Sequence, residues 1–244
     1  MDNLTIAAAS GLRSRMESLD LLANNLANTA TAGFKRDLEF YGTYSSSDSN
    51  DPINGGASSI LPTIEKQWTD FSQGNLIDTA NPLDVAIDGE GLFAVQTAGG
   101  VRYTRNGNFR IGPTGVLVAG DGSPVRAQGG GSIALQPGVR VEVLADGTVQ
   151  QDGQPVGQLE LSAFDRGSMD KSGANYFVPL DGVTAKPATG VVVQRKLEQS
   201  NVGAAESSVR LVAIMRQFEM LQKAMNIGNE LNRKAIEEVA RVVT

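Results

Sequence analysis

From about Ala205 to Val243 the hydrophobic positions recur at alternating steps of three and four, through Leu211, Ile214, Phe218, Leu221, Met225, Gly228, Asn232, Ala235 and Val239. That is the heptad spacing of a helix seam, and it predicts one long helix without a core of its own. A second row, Ala213, Met220, Ala224, Ile227 and Leu231, lies about a quarter turn away. The apolar arc therefore covers roughly half the circumference, against the ~100° stripe of an ordinary surface helix. One partner cannot cover such an arc. Glu219, Lys223, Asn226, Glu230, Arg233, Lys234 and Glu237 are left for water, with Glu219 to Lys223 and Glu230 to Lys234 at the favourable i,i+4 offset.

The other end of the chain repeats the theme. From about Leu4 to Asn28, Leu4, Ala8, Leu12, Leu19, Leu22, Ala23 and Leu26 share a face, with Arg13, Glu17, Asp20, Asn24 and Asn28 largely opposite, which predicts an amphipathic helix. It stops in Thr29 to Gly33, where β-branched residues weaken the helix and the glycine can take the left-handed conformation of a C-terminal cap. Asn24, Asn25 and Asn28 read in two ways: as polar surface, or as amides placed to bond the backbone of a neighbouring helix or turn and fix its register. Each terminal helix keeps an apolar face that pairing with the other covers only in part. Further copies of the chain would cover the remainder.

Between the helices the period changes. Residues 36–75 pass from Phe40 and Tyr41 through the polar, turn-rich SSSDSNDPINGGASS, a linker or loop, to an extended segment from Ile60 to Phe71 that holds the only tryptophan, Trp68. From 76 to 198 the spacing is that of short strands. Val85 and Ile87 are followed by Leu92 and Ala94, or Phe93 and Val95, across a glycine turn at Gly89 to Gly91. Asn106–Gly107 within VRYTRNGNFRI predicts a hairpin. Turn signals recurring about every ten residues predict an all-β barrel or sandwich. The expected fold class is α+β, made of an N-terminal helix segment (1–35), a connecting segment (36–75), a central all-β domain (76–198) and a C-terminal helix (199–244).

A length of 244 residues with 41% hydrophobic content is enough for a packed core. The net charge of -6 argues against nucleic-acid or membrane-surface binding, because both use clustered Lys and Arg. Cysteine and histidine are both absent, which removes disulfides, thiolate sites, the commonest metal ligand and the usual general base. Enzymes are thereby disfavoured, though carboxylates or a Ser and Lys pair could act. No run of eighteen apolar residues occurs to span a bilayer. The start, MDNLTIAAASGLRSRM, lacks the regions of a signal peptide, so the expectation is a chain that stays in the cytoplasm or leaves by a route that keeps its N-terminus.

Candidate chemistry is sparse. Asp84, Asp88 and Glu90 form the one tight acidic cluster beside strands, and paired carboxylates suit glycoside hydrolysis or a hard cation. The spacing fits no calcium loop, and Asp88 with Gly89 is ordinary turn chemistry. Gly129 to Gly131 lack the lysine of a phosphate loop. Ser10 with Arg13, or Ser168 with Lys171, could be nucleophile and activator, but each is a coincidence of common residues. A glycan-acting enzyme and a soluble helical adaptor are the alternatives to a self-assembling structural protein.

Three separated stretches, LANNLANTATAGFKR (22–36), QGNLIDTANPLDVAIDGEGLFAVQ with YTRNGNF (73–96 and 103–109), and LEQSNVGAAESSVRLVAIMRQFEMLQKAM (197–225), resemble in order the signatures of bacterial flagellar basal-body rod and hook proteins. Length, the single β module and RYTRNGNF are most similar to proximal rod members, and distal rod members share the layout. The resemblance implies an axial structural protein, exported unfolded by the flagellar type III apparatus without a cleaved signal and built into the rod within the periplasm. It implies terminal helices paired as a coiled coil and stacked into an inner tube, with the β domain outside. The partners implied are the chain itself, other proximal and distal rod proteins and the export apparatus, with no nucleic acid, membrane insertion, cofactor or metal. Asn24, Asn25, Leu26, Asn28, Gly33 and Phe34 match the N-terminal motif, and Gln199, Ser200, Asn201 and Val202 match the lead into the C-terminal helix. With Leu12, Leu19, Leu22, Leu211, Ile214, Phe218, Leu221 and Met225 from the helix faces, they make up the expected assembly interface.

Overall fold

The computed structural model describes residues 3–45, 60–173 and 175–242. Helix α1 (Asn3–Ala27) opens the chain and α2 (Ala204–Val242) closes it. Between them run β1 (Asp37–Ser45), β2 (Ile60–Thr69), β3 (Leu76–Asp78), β4 (Val85–Asp88), β5 (Leu92–Thr97), β6 (Gly100–Thr104), β7 (Arg110–Ile111), β8 (Leu117–Val118) and β9 (Val141–Val143). The strands continue with β10 (Thr148–Gln151), β11 (Gln154–Gln158), β12 (Leu161–Ala163), β13 (Met169–Lys171), β14 (Phe177–Pro179), β15 (Lys186–Pro187), β16 (Val191–Gln194) and β17 (Lys196–Glu198). The fold is α+β, with one helix at each end and a mostly β central region. The chain forms two compact units: Met1–Ala27, Asp37–Trp68 and Gly203–Thr244 make one, and Asn28–Arg36 and Thr69–Val202 the other.

In the first unit α1 packs against α2, and β1 pairs with β2. The most buried line of α1 is Gly11, Ser14, Ser18, Leu22 and Asn25, while Leu12, Leu19 and Leu26 are half-buried and Ala23 is exposed. The leucine-rich face expected from periodicity is thus rotated toward small side chains. Gly11 faces Leu221 of α2, where an added Cβ would meet the Leu221 Cδ1 at 3.5 Å, an ordinary contact, so the position does not require glycine. The buried Ser18 hydroxyl donates to the Ser14 carbonyl at 3.0 Å, one turn back, so its burial leaves no lost bond. Nearly all of the polar stretch read as a linker, residues 46–59, lies outside the described residues.

In the second unit a six-stranded sheet runs β13-β14-β6-β5-β12-β15, beside a three-stranded sheet β11-β10-β9 and the pairs β16-β4, β17-β3 and β7-β8. Both faces of β5 are buried. Phe93 and Val95 join a core with Val85, Ile87, Phe109, Val125, Ile133 and Val149, and Leu92 and Ala94 join a second cluster with Tyr103, Met169 and Phe177. Alternate side chains leave opposite faces of a strand, so the near-continuous apolar run of β5 is a strand covered on both sides.

The hairpin expected at Asn106–Gly107 is not there. β5 and β6 turn at residues 98–99, closed by the Thr97↔Gly100 pair, and β6 goes on to pair with β14. Gly107 serves a different need. Its carbonyl accepts the Val85 amide at 3.0 Å, and a Cβ at this position would lie 1.7 Å from the Val85 carbonyl oxygen. The glycine is required by close backbone approach, which the same dipeptide signals as readily as a tight turn.

Candidate assembly interface and the β-unit junction

The expected interface residues divide between the two units. In the first, Ile214 is buried and Leu211, Phe218, Leu221 and Met225 are half-buried, so the α2 seam is already occupied within the chain. The second row is open. Val209, Met220, Ile227 and Leu231 are 73%, 61%, 59% and 62% exposed, and with Ala213 and Ala224, also exposed, they continue a heptad pattern along the helix. Water-facing ion pairs flank it, Lys234 to Glu230 at 2.9 Å and Arg233 to Glu237 at 3.7 Å. Arg210 of α2 also reaches Glu39 of β1 at 3.2 Å.

The three asparagines at the end of α1 are not equivalent. Asn24 is exposed, but Asn25 is buried, donating through Nδ2 to the Asp37 carbonyl at 2.8 Å and accepting the Asp37 amide at 3.0 Å. A side-chain amide that pairs with both groups of one peptide replaces a strand partner and fixes how the chain enters β1. Asn28 is held in the turn, where its Oδ1 accepts the Thr31 hydroxyl at 3.1 Å.

In the second unit the segment 28–36 meets the segment 197–202. Gly33 donates to the Glu198 carbonyl at 2.7 Å, and the Asn201 amide donates to the Phe34 carbonyl at 3.3 Å. Asn201 is the hub: its Oδ1 accepts the Arg36 amide at 2.8 Å, and its Nδ2 donates to the Asp70 carbonyl at 2.8 Å. The exposed Gln199 contributes its backbone amide to the Asn75 carbonyl at 2.8 Å, Ser200 accepts the Val202 amide at 3.2 Å, and Val202 is buried. Gly33 has φ +67, as expected of a left-handed glycine. It does not cap α1, which ends six residues earlier at Ala27. It lies instead where a Cβ would come within 2.4 Å of the Asn106 amide nitrogen.

At the centre of this junction is a charged group that periodicity does not reveal. Lys35 and Glu198, both with 0% side-chain exposure, pair at 2.5 Å, and Arg105 lies 3.3 Å from the other Glu198 oxygen. Lys35 also donates to the Ser72 carbonyl at 2.6 Å, and Glu198 accepts the Gly74 amide at 2.9 Å. Arg105 bonds the Ile87 carbonyl at 2.9 Å and the Gly89 carbonyl. Burial pushes the Lys35 ammonium below its ordinary value, against the pull of the Glu198 carboxylate. Burial lowers Arg105 too, again opposed by Glu198. Each of the three signature stretches contributes one member: AGFKR, YTRNGNF and LEQSNV. That convergence was the available signal.

The candidate catalytic groups are committed elsewhere. Asp84 is buried and accepts the side-chain amides of Asn81 and Asn108, both at 2.9 Å. Asp88 is exposed and accepts Gln73 at 3.1 Å. Ser168 donates to the Asp165 carbonyl at 2.6 Å, whereas Lys171 donates to the Lys35 carbonyl at 2.6 Å. Arg13 pairs with Glu17 at 3.3 Å. Asp84 is therefore a strut between two loops.

An exposed apolar helix row, terminal segments stitched into a β unit, and carboxylates spent on structural bonds define a structural subunit. A family model described as the flagellar hook protein FlgE/F/G D1 domain matches residues 86–154, and one described as the flagellar basal body rod FlgEFG protein C-terminal matches residues 193–238. The chain is 33% identical over 245 residues to the flagellar basal-body rod protein FlgF of Caulobacter vibrioides, covering 99% of this chain and 100% of the relative. It is 30% identical over 253 residues to FlgF of Salmonella typhimurium, at 96% and 97% coverage. It is 31% identical over 251 residues to the rod protein FlgG of Buchnera aphidicola, at 92% and 95% coverage. The chain belongs to the flagellar basal-body rod protein family, as a FlgF-like member and a structural component of the basal body rather than an enzyme. Among the described residues no helix is long and apolar enough to cross a membrane.

Proposed function

We propose that this chain builds the proximal rod by sharing helices between copies. α1 and α2 pair as a coiled coil, and the row Val209, Ala213, Met220, Ala224, Ile227 and Leu231 is covered by helices of neighbouring copies and of other rod proteins around a common axis. The β region is a barrel- or sandwich-like module over 76–198, with 36–75 as the connection, and torque passes along the shared helices. The expected interface residues, from Leu12 through Met225, act in two ways: the α2 seam holds the pair together, and the junction residues hold its ends. The chain reaches the rod within the periplasm through the type III export apparatus.

The exposed heptad row of α2 is the observation that carries this reading. Each large side chain in it gains about 1.5–3 kcal/mol when fully buried, so a few per copy give a strong drive to associate even after the cost of ordering. Replacing Met220, Ile227 and Leu231 together by Glu tests it. Loss of rod assembly and motility, with the unfolding of the second unit unchanged, is the expected result. Wild-type swimming by the triple variant would refute it.

A further inference from the structure

Residues 32–36 are held as a bound peptide is held. The Ala32 carbonyl accepts Asn175 Nδ2 at 2.9 Å and the Lys35 carbonyl accepts Lys171 Nζ at 2.6 Å. The Phe34 carbonyl and the Arg36 amide bond Asn201, and the Arg36 carbonyl accepts the Asp70 amide at 2.9 Å. The Lys171 ammonium also sits 4.2 Å from the centre of the Phe34 ring. Backbone bonds along a segment, with one long side chain in a pocket, are a usual way in which a groove recognises a peptide. Here the pocket is the Glu198 carboxylate, and Gly33 is demanded by the wall formed by Arg105 and Asn106.

Two further observations make the segment separable. Neither hydrophobic cluster of the second unit contains any residue of 28–36; Phe34 is buried, but apart from both clusters. When Lys35 leaves, Glu198 keeps Arg105 at 3.3 Å and the Gly74 amide at 2.9 Å, so the socket is not left as an unpaired buried charge, the case that is most costly.

We propose that Ala32–Arg36 is an internal peptide ligand, and that the β unit contains a peptide-binding slot selective for glycine, an aromatic residue, lysine and arginine in succession. The occupant is the chain's own segment. Docking ties the exit from α1 to the lead into α2, because Phe34 and Asn201 are bonded only while the slot is filled. This does not depend on how copies assemble, and it would stand if the α2 row proved irrelevant.

Hydrogen exchange on the full-length Lys35→Met variant tests the slot. The amides of Gly33, Arg36 and Asn201, which bond across the slot, should exchange about tenfold faster or more, through local opening, while those of Val85 and Ala94 in the core keep their protection. Adding the free peptide Thr29–Asp37 should then restore protection at Asn201, and the same peptide carrying Lys35→Met should not. Faster exchange at Val85 and Ala94 in step with Gly33 would overturn the proposal, since the segment would then be part of the core. Equal protection of Asn201 by the two peptides would also overturn it. Should Lys35→Met fail to fold, Lys171→Met, which loosens the segment without touching the socket, takes its place: release of Gly33 with the core intact supports the slot, and unchanged exchange at Gly33 overturns it.

Discussion

The helix pair and the β-unit junction treat their difficult surface in opposite ways. α2 leaves a row of large apolar side chains in water, whereas the junction takes three charged side chains and two chain segments out of it. Apolar surface is non-directional and can be matched by any complementary helix, so it suits contacts between copies. Buried charges tolerate one geometry and are costly in any other. They suit a joint that must be the same in every molecule. Within one chain the first region leaves its apolar row exposed, and the second buries its charges against one another.

The sharpest way to break that contrast is Glu198→Ala, which leaves the Lys35 and Arg105 cations without their carboxylate. It should destabilise the second unit by about 3–5 kcal/mol, read as a shift in the urea midpoint of that unit. An unchanged midpoint would mean that the junction contributes nothing. A smaller effect separates the buried pair from its half-exposed neighbour, Arg36 to Asp70 at 3.0 Å. Burial works against the ionised Asp70 carboxyl, but hydrogen bonds from the Ser72 amide and hydroxyl and from Arg36 outweigh it and hold the carboxyl below its ordinary value of 3.8. A carboxyl depressed in the folded state contributes stability that is present above that ordinary value and lost as pH falls through the lowered one. Asp70→Asn should therefore cost about 1 kcal/mol at neutral pH, and the gap from wild type should close on acidification. A gap that persists once the wild-type carboxyl is protonated would contradict the assignment. The smallest change has the opposite sign. Arg195 joins β16 to β17 at φ 61, with its amide bonded to the Asp84 carbonyl at 2.7 Å. Arg195→Gly keeps that bond and relieves the left-handed strain, so thermal unfolding should shift upward by the equivalent of about 0.5–1 kcal/mol.

Much of the helical region was legible in advance because helix periodicity is carried by neighbouring residues. The seam from Leu211 to Met225 is covered and the row from Ala213 to Leu231 is exposed, as two faces of one helix should be when a single partner is present. The strand positions of Val85, Ile87 and the run from Leu92 were likewise readable. Partners were not: β4 pairs with β16, and not across the glycine turn with β5. The Asn106–Gly107 signal misled because it is local, and a glycine forced by the close approach of Val85 looks the same in sequence as one forced by a turn. On α1 the leucines drew attention away from Gly11, Ser14 and Ser18, which are buried while Leu12, Leu19 and Leu26 are only half-buried.

By itself the sequence determined that this protein has two long amphipathic helices at its ends with more apolar face than one pairing can hide, and a strand-rich middle. Both follow from side-chain periods, which each short stretch carries independently of the rest. Only the tertiary structure decided which polar residues go inside. Lys35 and Glu198 stand 163 residues apart, and a charge is as compatible with a surface position as with a buried one until its counter-charge is brought to it. Proximity across such a distance leaves no periodic trace in the chain, so the joint between these two segments became visible only when the β unit closed around it.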